Sequence, residues 1–374
     1  MPPVRTNSNS TPAINTGCSE ASVAIGRKKK RTTKNKKLGL IDRLIPVGKY
    51  MCRMVSFNWN IRRTLDRGIA RLACTSPEEE KDLVQGATNK ERDFDRCWDE
   101  LIKIAPYLPD LVMNCNDLDL VEMTFDYAKT TSRSEDNSKF KKGVVTWRVW
   151  SPPLPKGKKG RGFSHPECQR MLCPISVNFA DPTSRNAFVI EKSPPATHHV
   201  WPRCGYAGYT GNIKSPGQGF LRSGLIKQGA LSIMHSPSEA DKLDNNDGLD
   251  RGTRPGFAET HAITQVTRPF LAYVATLLRY SLSDEHTFRV NGPFNYGQYF
   301  ADILEYLMDP AFQQTTDELL EWWDSQIFPD AHHARRNPDL SGFSMIHHMR
   351  AELSSSDNGD TESEMVEFQE EPLE

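Results

Sequence analysis

The sequence predicts a mainly α protein, an irregular multi-helix body with long loops and disordered termini. Three observations lead to this prediction. In the middle of the chain, apolar residues recur every three or four positions in several segments. Residues that cap helices stand where several of these segments begin. The first ~37 and the last ~40 residues are polar and lack a periodic apolar pattern, which is typical of disorder.

We therefore expect three parts. Residues 1–37 form a disordered basic arm, residues 38–330 a mainly helical body, and residues 331–374 a disordered acidic tail. The body comprises roughly 290 residues, enough for one large core or for two abutting halves, 38–150 and 165–330. The pattern alone leaves both arrangements open.

A net charge of −1 hides a strong charge gradient along the chain. Residues 1–75 carry 16 Lys and Arg against 3 Asp and Glu, whereas residues 284–374 carry 4 against 20. The densest basic run is GRKKKRTTKNKK, with the basic residues Arg27, Lys28, Lys29, Lys30, Arg31, Lys34, Lys36 and Lys37. Nuclear-import receptors and nucleic-acid backbones both bind runs of this kind. A solvated tail is the alternative interpretation.

After Pro46 the spacing predicts a basic amphipathic helix. Its apolar face is Met51, Met54, Ile61, Leu65, Ile69 and Leu72. Its basic face is Lys49, Arg53, Arg63, Arg67 and Arg71. An ordinary surface helix has this pattern, as does a helix that lies on a phosphate backbone, on an anionic surface or against the protein's own acidic tail.

The next segments are predicted helices separated by a loop. KERDFDRCWDELIKIAP forms a helix that Pro106 ends, and NDLDLVEMTFDYAKT forms one that Asp117 caps. EDNSKFKKGVVTWRVW fits either a strand, through alternating apolar residues, or a helix capped by Asp136, and the pattern leaves both open. Residues 151–163 are rich in Pro, Gly and Lys and are predicted to be a loop.

Helical patterns are clearer in the C-terminal half. We expect a helix over residues 219–234, a polar loop over 237–259, and a helix that Thr267 caps with Pro269 in its first turn. A further helix includes Tyr296 and Leu307. Thr315 and Glu318 then form a predicted capping box for the last helix, which Pro329 ends.

The glycine-rich run GYAGYTGNIKSPGQGFLRSG does not match a phosphate-binding loop. It contains no Gly-Lys-Ser/Thr, and Arg222 stands where a dinucleotide fingerprint needs its third glycine. We expect these glycines to supply positive φ angles in successive turns and to let Tyr206, Tyr209 and Phe220 pack over them.

Neither a metal site nor a catalytic site is predicted with any specificity. His165, Cys168, Cys173 and Cys204, with His198 and His199 in addition, offer ligand types that zinc accepts. The chain has no Cys-x-x-Cys pair, so a loop histidine and buried thiols are the favoured interpretation. The carboxylates of the last helices, such as Asp302 and Glu305, lie opposite the apolar positions and are expected on solvated faces. We expect no catalytic residues, no metal and no cofactor.

Several blocks resemble a known family. RGFSHPECQRMLCPISVNFADPTSRNAF, GFLRSGLIKQGALSIMHSPSEAD, ETHAITQVTRPFLAYVATLLRYSLS and DELLEWWDSQIFP resemble an uncharacterised family of mushroom-forming (basidiomycete) fungi, a domain of unknown function. KYMCRMVSFNWNIRRTLDRGIARL, DFDRCWDELIKIAPYLPDLV and SEDNSKFKKGVVTWRVWSPPLP are similar to its N-terminal part, so the resemblance covers roughly residues 47–330. The resemblance implies a mainly helical body and favours a helix over 137–150. It implies no activity.

These observations favour a non-enzymatic nuclear module whose helical body binds a protein partner and whose basic arm directs localisation. The alternative is a nucleic-acid-binding protein, associated with chromatin or a mobile element, that uses the arm and the basic face. No apolar run approaches the ~18 residues of a membrane span, and no secretory signal is recognisable. We expect a soluble nuclear protein without membrane contact, with the cytoplasm as the alternative location. Its eight scattered cysteines are expected to be free thiols.

Overall fold

The structure, a computed structural model, describes residues 41–114, 117–241, 255–292 and 294–336, together with Gly39 and Met349. The predicted basic arm 1–37 and most of the predicted acidic tail lie outside these residues. The described residues form a mainly α body that contains no strand. Its helices are α1 (41–54), α2 (Ile61–Leu72), α3 (Pro77–Gln85), α4 (Asn89–Ile104), α5 (Leu108–Asn114), α6 (Leu118–Thr146), α7 (Pro166–Leu172), α8 (Pro182–Asn186), α9 (Gly224–Met234), α10 (Pro237–Asp241), α11 (Phe257–Thr260), α12 (Arg268–Leu282), α13 (Tyr296–Met308), α14 (Gln313–Ile327) and α15 (Pro329–Arg336).

The predicted basic amphipathic helix is two helices, α1 and α2, rather than one. Residues 55–60 leave the helical path, and Asn60 starts α2 by accepting a hydrogen bond from the Arg63 backbone N–H. Phe57 and Trp59, in the break between the helices, are buried in the core. The sequence pattern missed the break because the apolar residues on both sides of it fall in register with one helix.

Helix α6 joins two segments that the sequence separates. Asp117 caps it as predicted, by accepting a hydrogen bond from the Leu120 N–H, and the helix continues for 29 residues to Thr146. The segment 137–150 is therefore mostly helical, as the resemblance implied. Asp136 does not cap a helix; it lies fully buried in the middle of α6.

Helix α12 is the central element of the core. Thr267 caps it by accepting a hydrogen bond from the Phe270 N–H, with Pro269 in its first turn, as predicted. All residues from Phe270 to Leu282 are buried, and the helix packs against α6, α9 and α13. A helix that is apolar on all sides is stable only when other elements surround it completely. One hydrophobic cluster extends from Leu44 to Phe328 and joins residues of both predicted halves.

The Pro/Gly/Lys-rich loop 151–163 attaches to the C-terminal end of α12. Lys158 donates a hydrogen bond to the Tyr280 carbonyl, and Arg161 donates one to the Ser281 carbonyl at 2.8 Å. Both carbonyls belong to the last turn of α12, where backbone acceptors lack partners within the helix. A cation is also favoured at this end by the helix dipole. The loop is therefore fixed by two buried side chains.

The glycine-rich run forms a series of turns. It contains short 3-10 turns at Arg203–Gly205 and Ala207–Tyr209, and Gly208, Gly211 and Gly219 all have positive φ. Tyr206 and Phe220 pack together with ring centroids 5.1 Å apart. The helix predicted over 219–234 begins only at Gly224, because Ser223 caps it and Leu221 has a positive φ of 58°.

The last helices begin and end at positions that differ from those predicted. A 3-10 turn at Pro310–Phe312 leads directly into α14, so Thr315 lies inside that helix and the predicted capping box does not form. The polar loop 237–259 contains α10 and α11 at its two ends. α15 follows α14 directly and continues to Arg336. Within the described ranges, no helix has both the length and the apolar character that crossing a bilayer requires.

Candidate functional site

The predicted basic residues fall into two groups. The arm residues Arg27, Lys28, Lys29, Lys30, Arg31, Lys34, Lys36 and Lys37 lie outside the described residues. The predicted basic face, Lys49, Arg53, Arg63, Arg67 and Arg71, is divided between α1 and α2. Of these five, Arg63 is exposed and makes no ion pair with a described residue.

The other four members of this face form ion pairs with the protein's own carboxylates. Lys49 lies 2.8 Å from Glu135, Arg53 2.7 Å from Asp136, Arg67 2.8 Å from Asp95, and Arg71 2.9 Å from Glu80. Phosphates would have to displace these partners, at a cost in free energy for the buried pairs. This surface therefore offers a nucleic acid far less positive charge than the sequence suggests.

The buried pair of Arg53 and Asp136 connects three helices. The guanidinium of Arg53 contacts both carboxylate oxygens of Asp136, at 2.7 and 2.8 Å, and the Tyr273 hydroxyl donates a third hydrogen bond to Oδ2 at 3.0 Å. Burial and the neighbouring carboxylate raise the pKa of Tyr273 well above its ordinary value. The phenol therefore stays protonated and acts as a donor, so the group is a structural connection among α1, α6 and α12.

Four of the residues considered for zinc, His165, Cys168, Cys173 and Cys204, have structural roles instead. His165 caps α7: its Nδ1 accepts from the Cys168 N–H at 3.5 Å, and its Nε2 lies 2.9 Å from the Pro152 carbonyl. Burial raises the pKa of the Cys168 and Cys204 thiols to about 12, so both are protonated at neutral pH and are poor metal ligands. Cys173 packs in a separate apolar cluster with Val177 and Phe188. The described part of the chain does not bring these residues into one ligand set.

A groove with acidic and aromatic residues lies between α13, the start of α14 and the glycine-rich run. Its volume is about 420 Å³. We call it the acidic groove and define it by the carboxylates of Asp302, Glu305 and Asp309 and the rings of Trp201, Tyr306 and Phe312. Pro216, Gly217 and Thr315 complete its lining, in which the described residues include no Lys or Arg.

The aromatic side of this groove is held by stacking. Trp201 lies flat on Phe220, with ring centroids 4.0 Å apart and planes within 5°, and Tyr306 meets Trp201 edge-on at 5.2 Å. Phe312 lies 5.1 Å from Tyr306 and is 45% exposed, which is unusual for so large an apolar ring. The turns of the glycine-rich run place Phe220 beneath Trp201, so the run positions one aromatic wall of the groove.

Two carboxylates of the acidic groove, Glu305 and Asp309, differ from most carboxylates on α14. Asp317, Glu321 and Asp324 form ion pairs with Arg268, Arg336 and Arg335 respectively. Glu305 is exposed and has no cationic partner among the described residues. The Asp309 carboxylate also lacks a cationic partner there and accepts a hydrogen bond from the Ala311 backbone N–H. The sequence contains no Lys or Arg between Val290 and Ala334, so no nearby cation neutralises the groove from its own helices.

Two adjacent histidines meet Asp302 at one edge of the groove. The Nδ1 atom of His198 lies 3.0 Å from Asp302 Oδ2, and the Nδ1 atom of His199 lies 3.2 Å from the same oxygen. The other carboxylate oxygen, Oδ1, accepts a hydrogen bond from Gln298 at 2.8 Å. A second pocket of about 260 Å³ lies beside this cluster and includes His199, Trp201 and Pro216 in its lining.

Sequence reasoning found only part of this site. It noted His198 and His199, but in combination with cysteines, and it assigned Asp302 and Glu305 to a solvated face. Asp302 follows the histidine pair by more than a hundred residues, and no spacing rule connects them. The one signal available was the long stretch without Lys or Arg around α13 and α14, which marks carboxylates that have no local partner.

The comparisons with known proteins place the chain in one family. The sequence profile of a family described as "Family of unknown function (DUF6698)" matches residues 127–328, more than half of the chain. The protein is therefore a mainly α member of a domain class without an assigned activity. The chain belongs to the family DUF6698. No curated protein and no solved structure shows a significant match. The acidic groove and the histidine pair lie within the matched residues.

Proposed function

We propose that the protein is a non-enzymatic nuclear interaction module whose acidic groove binds a Lys- or Arg-rich segment of a protein partner. One observation supports this most directly: Glu305 and Asp309 have no cationic partner among the described residues, and they lie beside an exposed aromatic ring, Phe312. On α14, Asp317 and Glu321 are ion-paired, whereas Glu318 has no cationic partner among the described residues. The groove differs because it brings two such carboxylates together beside an aromatic ring.

The chemistry of the groove suits an arginine side chain in particular. A guanidinium stacks on aromatic faces and forms bidentate hydrogen bonds with carboxylates. Tyr306 and Phe312 offer ring faces, and Glu305 and Asp309 offer carboxylate oxygens on the same groove. Charge complementarity would steer the partner and set the salt dependence of binding.

The remaining polar clusters support a role without catalysis. His165 is a helix cap, Arg53 and Asp136 form a buried pair, and Lys158 and Arg161 bind backbone carbonyls at the end of α12. Each group is occupied by a structural partner. Burial raises the pKa of the Cys52 and Cys97 thiols to about 12, as it does for Cys168 and Cys204, so these thiols would make poor nucleophiles.

The groove is tested by fluorescence anisotropy with a short labelled peptide of alternating arginine and glycine and the full-length protein. We expect saturable binding that weakens as salt increases. The double variant Glu305→Gln with Asp309→Asn should raise the Kd at least about tenfold, which corresponds to about 1.4 kcal/mol. Phe312→Ala should raise it by a smaller factor, about threefold, through loss of the cation–π contact.

A matched control removes the same charge elsewhere. Glu318→Gln with Asp330→Asn changes two exposed carboxylates outside the groove lining and should leave the Kd within about twofold of the wild-type value. Equal losses in both double variants would mean that only net charge matters, and the groove would then have no specific role. Absence of saturable binding by the wild type would also refute the proposal.

Nuclear localisation is the second part of the proposal and rests on the arm. Eight basic residues in the twelve of residues 26–37 are the composition that import receptors recognise. A fluorescent fusion of the full chain should accumulate in nuclei, and replacing Lys28, Lys29, Lys30 and Arg31 by alanine should abolish the accumulation. A fusion that is equally nuclear with and without these residues would assign localisation to another part of the chain.

Nucleic-acid binding through the arm is the alternative function. The same eight basic residues support it, whereas the ion pairs of Lys49, Arg53, Arg67 and Arg71 leave the α1–α2 surface with little free positive charge. Phosphate binding by the arm predicts an affinity for duplex DNA that falls steeply with salt. Affinity that is absent, or unchanged from low to moderate salt, would eliminate this alternative.

The resemblance of the sequence blocks also leads us to propose an origin in a mushroom-forming fungus. The blocks at 161–188, 219–241 and 259–283 are among those that carry the resemblance within the matched domain. A survey of the genomes that encode DUF6698 domains tests it. Members spread evenly over animals, plants and fungi would contradict a basidiomycete expansion.

A further inference from the structure

We propose that His198, His199 and Asp302 form a zinc-binding site with an open coordination position at the edge of the acidic groove. Each residue offers one ligand atom, an imidazole nitrogen or a carboxylate oxygen, and these three atoms all lie within 4.8 Å of one another. The histidines come from the loop before Trp201, and Asp302 comes from α13. The site is therefore assembled from two distant parts of the chain.

The distances suit a tetrahedral zinc ion. Metal–ligand bonds of about 2.0–2.1 Å place the donor atoms of a tetrahedral site roughly 3.3 Å apart. The two measured separations between a histidine Nδ1 and Asp302 Oδ2 are 3.0 and 3.2 Å. The ring centroids of His198 and His199 are 3.8 Å apart, so both imidazoles lie close to the same carboxylate oxygen.

The donor set favours zinc over magnesium or calcium. Two imidazole nitrogens and one carboxylate oxygen are ligands that Zn²⁺ accepts readily, whereas Mg²⁺ and Ca²⁺ prefer oxygen alone. Two neutral imidazoles and one carboxylate supply a charge of about −1 against the +2 of the ion. Glu305 and Asp309 line the same groove and add a negative potential that further favours a cation.

The surroundings orient the ligands. Gln298 Nε2 donates to Asp302 Oδ1, which leaves Oδ2 facing the histidines. Hydrogen bonds of this kind to a ligating carboxylate hold its orientation and typically matter for metal affinity. Gln298 lies in the first turn of α13, where its backbone N–H is held by the Asn295 cap. On the other side, the Trp201 carbonyl accepts a hydrogen bond from the Ile175 N–H and anchors the loop.

The site is open to solvent on one side. His199 is 70% exposed, while His198 and Asp302 are 21% and 15% exposed. Three protein ligands leave a fourth position for water or for a ligand from outside the site, which distinguishes this arrangement from a closed structural zinc site. This inference stands independently of the proposed function, because it depends on the histidines rather than on Glu305, Asp309 or Phe312.

Isothermal titration of the full-length, chelator-treated protein with zinc chloride tests the site. We expect saturable binding with a component of one equivalent that is lost in His199→Ala and weakened at least about tenfold in Asp302→Asn. Cobalt(II) gives a second readout, because tetrahedral coordination by nitrogen and oxygen produces visible absorption bands. These bands should be absent from both variants. His199 is exposed and Asp302 is partly buried, and circular dichroism checks that both variants fold.

Two controls separate this site from other donors and from the groove. His333→Ala removes an exposed histidine outside the cluster and should leave zinc affinity unchanged. Glu305→Gln removes a groove carboxylate that is not a proposed ligand and should keep the stoichiometry of this component. Zinc binding that is equal in the wild type, His199→Ala and Asp302→Asn, or no saturable binding at all, would overturn the proposal whatever the outcome of the peptide experiment.

Discussion

At the scale of single residues, buried cations stabilise the fold by binding specific acceptors. Arg161 is fully buried and donates to the carbonyls of Pro155, Lys141 and Ser281. Lys158 beside it is 5% exposed, binds the Tyr280 carbonyl, and lies over the Tyr280 ring with Nζ 3.8 Å from the centroid. These acceptors offset only part of the cost of burying the Lys158 charge. Burial and, secondarily, the Arg161 charge lower the pKa of Lys158 to about 7.

This lowered pKa predicts a pH dependence of stability. Between pH 7 and 10.5 the unfolded chain keeps the Lys158 proton while the folded protein releases it, so unfolding takes up a proton and the free energy of unfolding rises with pH. Between pH 7.5 and 9, the free energy of unfolding of the wild type should therefore rise by about 1 kcal/mol per pH unit relative to that of Lys158→Met. Urea unfolding of both proteins across this range measures the difference. Parallel profiles would show that Lys158 stays protonated in the fold.

At the scale of elements, some helices approach closely because one of them carries a glycine at the contact. In α2, Gly68 faces the Trp98 ring of α4, and a Cβ added at Gly68 would overlap the ring atoms. In α9, Gly229 faces the Phe140 ring of α6 in the same way. These two contacts explain how bulky aromatic residues remain fully buried between neighbouring helices.

The substitution Gly68→Ala compares two opposing effects, the higher helix propensity of alanine and the steric overlap of its Cβ with Trp98. In an exposed helix this substitution stabilises by about 1 kcal/mol. Here the overlap with Trp98 should dominate, and we expect a net destabilisation of about 1–3 kcal/mol. Thermal unfolding measures it. Gly157→Ala, at a position with no atom near the added Cβ, is the control and should be close to neutral. A higher Tm for Gly68→Ala would mean that α2 and α4 separate easily.

Elements were predicted from sequence where local chemistry determines them. The caps at Asp117 and Thr267 were predicted correctly because each side chain binds a backbone N–H three residues ahead. Thr315 has the same local pattern, yet the turn at Pro310–Phe312 starts α14 earlier, and Asp136 is held by Arg53 from another helix. The acidic groove was not predictable, because stacking between distant rings forms it.

At the scale of the whole molecule, the helical body is larger than the matched domain. The match begins at residue 127, inside α6, whereas the core cluster includes Leu44, Phe57 and Trp98 from the preceding helices. The buried Asp136 lies within the match, but its partner Arg53 lies outside it. A fragment limited to the match would leave a buried carboxylate without its cation and an apolar face of α6 without its cover.

Fragments test this dependence. A fragment of residues 39–336 should unfold cooperatively, whereas one of residues 127–328 should lack near-ultraviolet circular dichroism and bind hydrophobic dyes. Uncompensated burial of Asp136 alone costs about 3–5 kcal/mol, comparable with the stability of a typical domain. Equal cooperativity of the two fragments would show that α1–α5 are dispensable. Arg53→Met in the full chain removes only the cation of this pair and should lower the free energy of unfolding by about 3–5 kcal/mol.

The central position of α12 has a consequence for biosynthesis. This helix is enclosed by α6, α9 and α13, yet it is encoded after about three quarters of the chain. A nascent polypeptide that has emerged from the ribosome only as far as α9 lacks α12, the helix against which the apolar faces of α6 and α9 pack. Those apolar faces stay exposed during translation until residue 282 has left the ribosome. Newly made chains should therefore depend on chaperones during that interval.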